Sequence, residues 1–301
     1  IATMTKKSVA YKNVISNGLV LDKNGQKMSK RLGNAVDPFE TLKKYGADAT
    51  RWYMITNAQP WDNLKFDLSG IEEVTRKFFG TLFNVYSFFS LYANLDSYVF
   101  DEKSTSKELQ EIDCWIISKL NSLSKDVNLA FENYEPTKAG RLIQKFVVDD
   151  LSNWYVRLCR KRFWKGELNE DKKAAYDTLY LCLKNISLLM SPIAPFYSDR
   201  LFEDLTGGNN SVHLSYFPEP IVGLINADLE HKMDLSQRIS SLVLSIRKKE
   251  KLKVRQPLSR ILIPSEGESF EAAINDVKSL ILSEVNVKEL NFIEKNDPIL
   301  K

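Results

Sequence analysis

A short basic segment near the start of the chain carries the residues best suited to chemistry. Its sequence is Gly25-Gln26-Lys27-Met28-Ser29-Lys30-Arg31-Leu32-Gly33-Asn34, with three cations within five residues, Lys27, Lys30 and Arg31. Ammonium groups on a mobile loop can close over a polyphosphate and stabilise the charge that builds on a leaving group. The alternative is a solvated turn with incidental lysines, which is the usual explanation of a lysine-rich turn.

A second basic segment, residues 154–165, combines cations with aromatic rings and contains no acidic residue. Cations that meet phosphates and rings that stack on bases are the two recurring means of binding single-stranded nucleic acid. On this ground we predict nucleic-acid contacts from six side chains, Trp154, Arg157, Arg160, Lys161, Arg162 and Trp164. The alternative places Trp154 and Phe163 in a helical core and leaves the arginines on a solvated face.

A third basic segment follows near residue 250. Glu250 is the only acidic residue among six cations: Arg247, Lys248, Lys249, Lys251, Lys253 and Arg255. We predict contacts with a nucleic-acid backbone here as well. Lysines at a helix C-terminus are also favoured by the helix dipole alone, which is the competing explanation.

Composition excludes several classes of protein. The 301 residues include 42 Lys and Arg, 39 Asp and Glu, two His and three Cys. Two histidines cannot form a histidine cluster, and the isolated cysteines form no C-x-x-C pair, so we predict no metal site. No apolar run approaches the roughly 18 residues of a membrane span. The N-terminus also lacks the pattern of a secretion signal.

Secondary-structure signals surround the first basic segment. Residues 13–15 and 19–21 are β-type runs, and Asn24-Gly25 predicts a hairpin turn between Leu21 and Met28. Asp37 followed by Pro38 predicts a helix start. A short helix should therefore follow the basic loop and be interrupted near Gly46.

The remainder is predicted to be mainly helical. Apolar residues at helical spacing, Phe78, Leu82, Val85, Phe89 and Tyr92, predict a buried helix face. Further helices are expected at 107–132, 136–165, 171–190 and 195–206, and their short linkers favour an up-and-down bundle. A long helix at 228–251 should precede a small βαβ-like module, with strands at 260–263 and 287–293 around a helix at 268–284.

The first basic segment resembles the KMSKS signature of class I aminoacyl-tRNA synthetases, with Arg31 in place of its last serine. Two neighbouring sequences also resemble that family, Leu32-Gly33-Asn34 and Tyr45-Gly46-Ala47-Asp48-Ala49-Thr50-Arg51-Trp52. Within its Ile/Val/Leu/Met subgroup, Gln59-Pro60-Trp61-Asp62-Asn63-Leu64-Lys65-Phe66 and the segment 151–164 resemble the isoleucyl branch most. A valyl enzyme, or a non-catalytic tRNA-binding protein that kept the loop as a relic, stays open.

The resemblance implies activation of isoleucine by Mg-ATP and transfer of the aminoacyl group to tRNA(Ile). Lys27 and Lys30 would contact the β- and γ-phosphates as catalytic residues, and Met28, Ser29 and Arg31 would complete the ATP-binding loop. The second and third basic segments would contact tRNA. The resemblance also implies a cytoplasmic monomer without a membrane partner.

The family's H-x-G-H signature and its large editing insertion have no counterpart here. We therefore expect the C-terminal part of a longer synthetase, inactive alone. It should contain the end of a Rossmann-type catalytic domain at 1–68, a helical anticodon-binding domain at 69–220, and a long helix with a small α/β module at 221–301.

Overall fold

In a computed structural model the chain is described at residues 1–106, 108–208, 210–295 and 298. It separates into two units, Ile1–Leu224 and Ile225–Lys301. The predicted boundary near 68 lies within the first unit, and the predicted boundary near 220 lies close to the division between the units.

The first 67 residues of the first unit combine short helices with a pair of two-residue strands. The elements are α1 (Ala2–Lys6), β1 (Val20–Leu21), α2 (Pro38–Tyr45), α3 (Ala47–Asn57) and β2 (Leu64–Lys65). The strands are parallel, with Val20 opposite Leu64. Gly18 permits this approach, because a Cβ atom there would lie 2.1 Å from the Asp62 carbonyl oxygen. The strand prediction for 13–15 was wrong, and these residues have no regular structure.

The predicted turn and helix start are confirmed. Leu21 forms an antiparallel bridge with Lys27 around the Asn24-Gly25 turn. Asp37 caps α2, because its carboxylate accepts hydrogen bonds from the backbone N–H groups of Phe39 and Glu40. Gly46, at a φ of 82°, interrupts the chain between α2 and α3, as predicted.

Long helices form the rest of the first unit. They are α4 (Leu68–Val74), α5 (Gly80–Leu95), α6 (Glu111–Glu132), α7 (Pro136–Lys145), α8 (Arg157–Trp164), α9 (Glu170–Met190) and α10 (Pro195–Thr206). Two π-helical segments, Thr75–Phe79 and Phe146–Val156, join α4 to α5 and α7 to α8. The helix predicted at 107–132 begins only at Glu111, so its predicted start was too early: residues 108–110 are not helical, and residue 107 lies outside the described residues. Gln110 is the N-cap, and its backbone N–H donates to the Asp113 carboxylate at 2.9 Å. The other predicted helices of this region agree with the structure to within one residue.

The predicted apolar stripe lies in the core. Phe78, Leu82, Val85 and Phe89 are buried, whereas Tyr92 is only partly buried. The Trp52 ring of α3 stacks on Phe78 with ring centroids 4.3 Å apart. Burial of these large side chains joins α3 to the helical bundle through the hydrophobic effect.

Polar contacts fix the same junction at the end of α3. The guanidinium of Arg141 in α7 donates to the carbonyl oxygens of Thr56 and Asn57, at 2.8 and 3.1 Å. The Thr137 hydroxyl donates to the Ile55 carbonyl at 2.7 Å. These bonds satisfy carbonyl groups that have no partner within the helix at its C-terminus. The segment that carries the basic loop is therefore attached to the bundle by both apolar and polar contacts.

The second unit contains a long helix and an α/β module. Its elements are α11 (Ala227–Lys249), β3 (Leu258–Pro264), α12 (Glu268–Asp276), α13 (Lys278–Val285) and β4 (Val287–Ile293). β3 and β4 pair in parallel, with Leu258 opposite Val287 and Pro264 opposite Ile293. The βαβ-like prediction is confirmed, although the single helix predicted at 268–284 is divided into two at Val277.

No helix among the described residues is long and apolar enough to cross a membrane.

Candidate functional site

The basic loop begins at a tight turn organised by Asp22. One carboxylate oxygen of Asp22 accepts hydrogen bonds from the backbone N–H groups of Asn24 and Gln26, at 2.9 and 2.8 Å. The Asp22 backbone N–H donates to the Gln26 carbonyl at 2.8 Å. Gly25 has a φ of 82°, in the left-handed region that glycine adopts most easily. The turn thus fixes the direction in which the chain enters the loop.

The Asn34 side chain closes the other end of the loop. Its amide group donates to the Asp22 carboxylate at 2.9 Å and to the Lys27 carbonyl at 3.2 Å. Its amide oxygen accepts a hydrogen bond from the Ser29 backbone N–H at 2.8 Å. We call this set of contacts the Asn34 clasp. The hydrogen bond from Asn34 is the main reason that the pKa of Asp22 lies below its usual value.

Residues 30–32 form one 3-10 turn within the loop. The Ser29 hydroxyl accepts a hydrogen bond from the Arg31 backbone N–H at 3.2 Å and caps this turn. Lys27, Lys30 and Arg31 are exposed, whereas Met28 and Ser29 are partly buried. Within the part of the chain that the structure describes, no carboxylate lies within ion-pair distance of the three cations. Their positive charge is therefore directed towards solvent.

This arrangement suits a polyphosphate. Three exposed cations on a loop of fixed backbone can meet several phosphate oxygens at once and reduce the cost of charge that develops on a leaving group. Among the described residues, no group of three His, Cys, Asp or Glu side chains is placed to hold a metal ion.

The second basic segment separates into buried and exposed residues. Trp154 and Phe163 are buried in the bundle, so the structure places both rings in the helical core. Arg157, Arg160, Lys161, Trp164 and Lys165 are exposed. The Arg157 guanidinium lies over the Trp154 ring, 5.5 Å from its centroid. Trp154 thus forms a cation–π contact with Arg157, and its buried ring is not accessible for stacking on a base.

Arg162 points inward to a buried carboxylate. Its two terminal nitrogens donate to the two oxygens of Asp113 in α6, both at 2.8 Å. Asp113 is fully buried and also accepts a hydrogen bond from the Tyr155 hydroxyl at 2.7 Å. Burial raises the pKa of Tyr155 well above its usual value, so this phenol stays a donor. The Arg162 charge is used within the protein and is not available to a ligand.

Arg247 in the third basic segment is likewise buried. One of its terminal nitrogens donates to the carbonyl oxygens of Lys253 and Val254, both at 3.0 Å, and to that of Gln256. These bonds turn the chain back at the end of α11. The remaining cations, Lys248, Lys249, Lys251, Lys253 and Arg255, are exposed around this turn.

Comparison with known proteins identifies the family of the chain. A model of class I tRNA synthetases for isoleucine, leucine, methionine and valine matches residues 1–67. A model of the anticodon-binding domain of tRNA ligases matches residues 113–262. Proteins named isoleucine–tRNA ligase are similar along the whole chain, with 60% identity in Cytophaga hutchinsonii and 57% in Porphyromonas gingivalis, and 60% over 98% of the chain in Bacteroides fragilis.

The chain belongs to the class I tRNA synthetases. It spans 26–28% of the length of these three relatives. A solved LeuRS from Agrobacterium radiobacter K84, in a ternary complex with tRNA and LeuAMS, covers 89% of the chain with a TM-score of 0.55 and 18% identity. This likeness concerns the fold, which is mainly helical as predicted, and the chain covers 28% of that structure.

Sequence reasoning singled out the basic loop but not the residues that hold it. Asp22 and Asn34 are twelve positions apart and flank the KMSKS-type segment. An Asp before an Asn-Gly turn was a usable signal, because such side chains often bond to the backbone two residues further on. The partner of Arg162 had no such signal, since Asp113 is 49 positions away.

Proposed function

We propose that this chain supplies the ATP-phosphate loop and the tRNA-binding region of an isoleucine–tRNA ligase. The observation that carries the proposal is the exposed cation set of Lys27, Lys30 and Arg31 on a loop held by the Asn34 clasp. The identity of 57–60% with isoleucine–tRNA ligases along the chain supports isoleucine as the amino acid.

In the proposed reaction the isoleucine carboxylate attacks the α-phosphorus of ATP, and the bond to the bridging oxygen breaks. The products are isoleucyl-adenylate and pyrophosphate. Lys30, with Lys27, holds the β- and γ-phosphates as negative charge increases on the departing pyrophosphate. The 3′-terminal ribose hydroxyl of tRNA(Ile) then attacks the adenylate carbonyl, which releases AMP and gives the aminoacyl ester.

The partly buried loop residues have supporting roles in this proposal. Met28 and Ser29 shape the loop against the nucleotide, and the Ser29 hydroxyl caps the turn that carries Lys30. Arg31 occupies the last position of the signature and is exposed, so it adds a third cation to the phosphate side. Magnesium would enter with ATP.

The exposed cations of the second and third basic segments are proposed to bind the tRNA backbone. They are Arg157, Arg160, Lys161, Lys248, Lys249, Lys251, Lys253 and Arg255, with Trp164 as an exposed ring. Burial removes Trp154, Arg162 and Arg247 from the predicted contact set. We propose the division of roles predicted above, with ATP contact in 1–68, tRNA contact in 69–220, and a further tRNA-contacting module in 221–301. Family membership supports a cytoplasmic monomer.

ATP–pyrophosphate exchange in the full-length ligase tests the loop assignment. Lys30→Ala should lower the isoleucine-dependent exchange rate by about 10²-fold, or roughly 3 kcal/mol of transition-state stabilisation, by analogy with loss of one oxyanion donor. Lys23→Ala is the matched control, because Lys23 is also exposed but lies before the turn. Equal exchange rates for the two variants would contradict the proposal. Parallel assays with valine distinguish an isoleucyl from a valyl enzyme.

Salt dependence of tRNA(Ile) binding by the 301-residue chain tests the second role. Each phosphate contact with a single strand should contribute about 0.7 to the slope of log K against log salt concentration. Binding that does not change between low and physiological salt would contradict a cationic interface.

A further inference from the structure

The continuous helix formed by α7, the π-helical segment and α8 has an unusual pattern of exposed residues. From Arg141 to Lys161 an exposed residue recurs every four positions, at Arg141, Lys145, Asp149, Asn153, Arg157 and Lys161. Cations occupy both ends of this series, and Asp149 is its single acidic member.

A regular α-helix would not keep these positions on one side. With 3.6 residues per turn, each step of four residues rotates by about 40° beyond a full turn. Five steps would therefore carry Lys161 about 200° away from Arg141, onto the opposite face of the helix.

The π-helical segment Phe146–Val156 removes this rotation. A π-turn closes its hydrogen bond over one more residue than an α-turn, so each turn contains more residues and the rotation per residue is smaller. The burial pattern agrees, because Val147, Asp150, Leu151 and Trp154 are buried between the exposed positions. The residues that pack against the bundle therefore lie on one side of the helix along its whole length.

We infer that the π-helical segment aligns Lys145 with Arg157, Arg160 and Lys161 as one cationic face, which fits the phosphate backbone of an RNA. We call these four residues the basic stripe. Lys145 to Lys161 extends over about 24 Å at α-helical rise, longer than a single anion requires but suited to successive phosphates. π-Turns are rare and often occur at functional sites.

Two neighbouring basic residues are not counted in the stripe, because one is held at the end of another helix and the other forms an ion pair one turn before it. The Arg141 guanidinium donates to carbonyls at the end of α3, and Lys138 pairs with Glu135 at 3.2 Å. Lys145 was not among the residues predicted from sequence to bind tRNA. The alignment of the helix is the reason to include Lys145 in the basic stripe. This inference rests on the tRNA-binding role proposed above.

Charge substitution within the π-helical segment tests this inference without removing a buried contact. Asp149→Lys places a cation between the two halves of the stripe, and Glu102→Lys makes the same change of charge at an exposed 3-10 turn elsewhere in the first unit. The 301-residue chain and its variants are titrated with unmodified tRNA(Ile) transcript at several salt concentrations. Asp149→Lys should tighten binding several-fold and steepen the salt slope by about one phosphate contact, roughly 0.7. Glu102→Lys should change binding much less.

Removal of single cations from the basic stripe completes the test. Lys145→Ala should weaken binding to a similar extent as Lys161→Ala, with unchanged circular dichroism. Equal effects of Asp149→Lys and Glu102→Lys would overturn the inference, since net charge alone would explain them. The inference would also be overturned if Lys161→Ala weakened binding and Lys145→Ala did not. In that case the proposed tRNA binding by α8 would still be supported. If Arg160→Ala and Lys161→Ala are also without effect, the tRNA role of this helix fails as well.

Discussion

The side-chain amide of Asn34 donates a hydrogen bond of 2.9 Å to the carboxylate of Asp22 and thereby joins the two ends of the basic loop. The same side chain also bonds to the backbone of Lys27 and Ser29. One residue therefore determines the path of a loop whose three cations have no ion-pair partner among the described residues. Asn34 is a positioning residue, because it acts through the placement of Lys27 and Lys30.

Loss of the Asn34 clasp should make the loop more mobile. We expect Asn34→Ala to increase the rate of trypsin cleavage after Lys27, Lys30 or Arg31 in the folded chain, because the loop loses three hydrogen bonds, two of them to its own backbone. Peptide mapping of short digests measures this rate. Gln26→Ala is the control, since the backbone N–H that bonds to Asp22 remains. In the full-length ligase, Asn34→Ala should lower the exchange rate less than Lys30→Ala does. Cleavage no faster than in Gln26→Ala would show that the clasp does not restrain the loop.

Arg162 should contribute to stability and Arg160 to tRNA binding. Arg162→Ala leaves the fully buried Asp113 without its ion-pair partner, and removal of one partner of a buried pair costs about 3–5 kcal/mol. Arg160 is exposed, so Arg160→Ala should change stability by less than about 0.5 kcal/mol. Urea unfolding followed by tryptophan fluorescence measures both values. A stable Arg162→Ala variant with impaired tRNA binding would reverse the two assignments.

Arg247 should stabilise the turn after α11. Arg247→Ala removes the terminal nitrogen whose two N–H groups are shared among three carbonyl oxygens, and one hydrogen bond to a charged group contributes about 1.5–3 kcal/mol. We expect faster hydrogen exchange in residues 251–258, measured by mass spectrometry. Lys248→Ala is the matched control, because this neighbour is exposed. Exchange in Arg247→Ala that matches the control would argue against a structural role.

The three cysteines should differ in reactivity. Cys159 and Cys182 are buried, whereas Cys114 is exposed. Burial raises the pKa of Cys159 to about 12, so its thiolate is scarce at pH 8. Partial burial raises the pKa of Cys114 as well, but its exposure should let a chromogenic disulfide reagent modify it first in the folded chain, and all three thiols after unfolding in guanidinium. Rapid modification of two or more thiols before unfolding would contradict the buried positions.

Local features of the chain were predictable because their signals lie within a few residues. The Asn24-Gly25 turn, the Asp37 cap and the helices at 136–165 and 195–206 follow from turn chemistry, capping and apolar spacing. The strand prediction at 13–15 failed because it relied on β-branched residues, and no neighbouring strand pairs with this segment among the described residues. The break at Val277 was missed because both α12 and α13 continue a helical pattern.

The family and the three basic segments, of which the basic loop is the first, were determined by sequence alone, because the identity and spacing of charged residues are visible along the chain. Which charges face solvent was decided only by tertiary structure. Arg162 and Arg160 look equivalent in sequence, yet a carboxylate 49 positions away from Arg162 turns that side chain inward. Lys145 joins the basic stripe for the same kind of reason, since a change in helical repeat within the packed bundle brings it onto the face of Arg157 and Lys161.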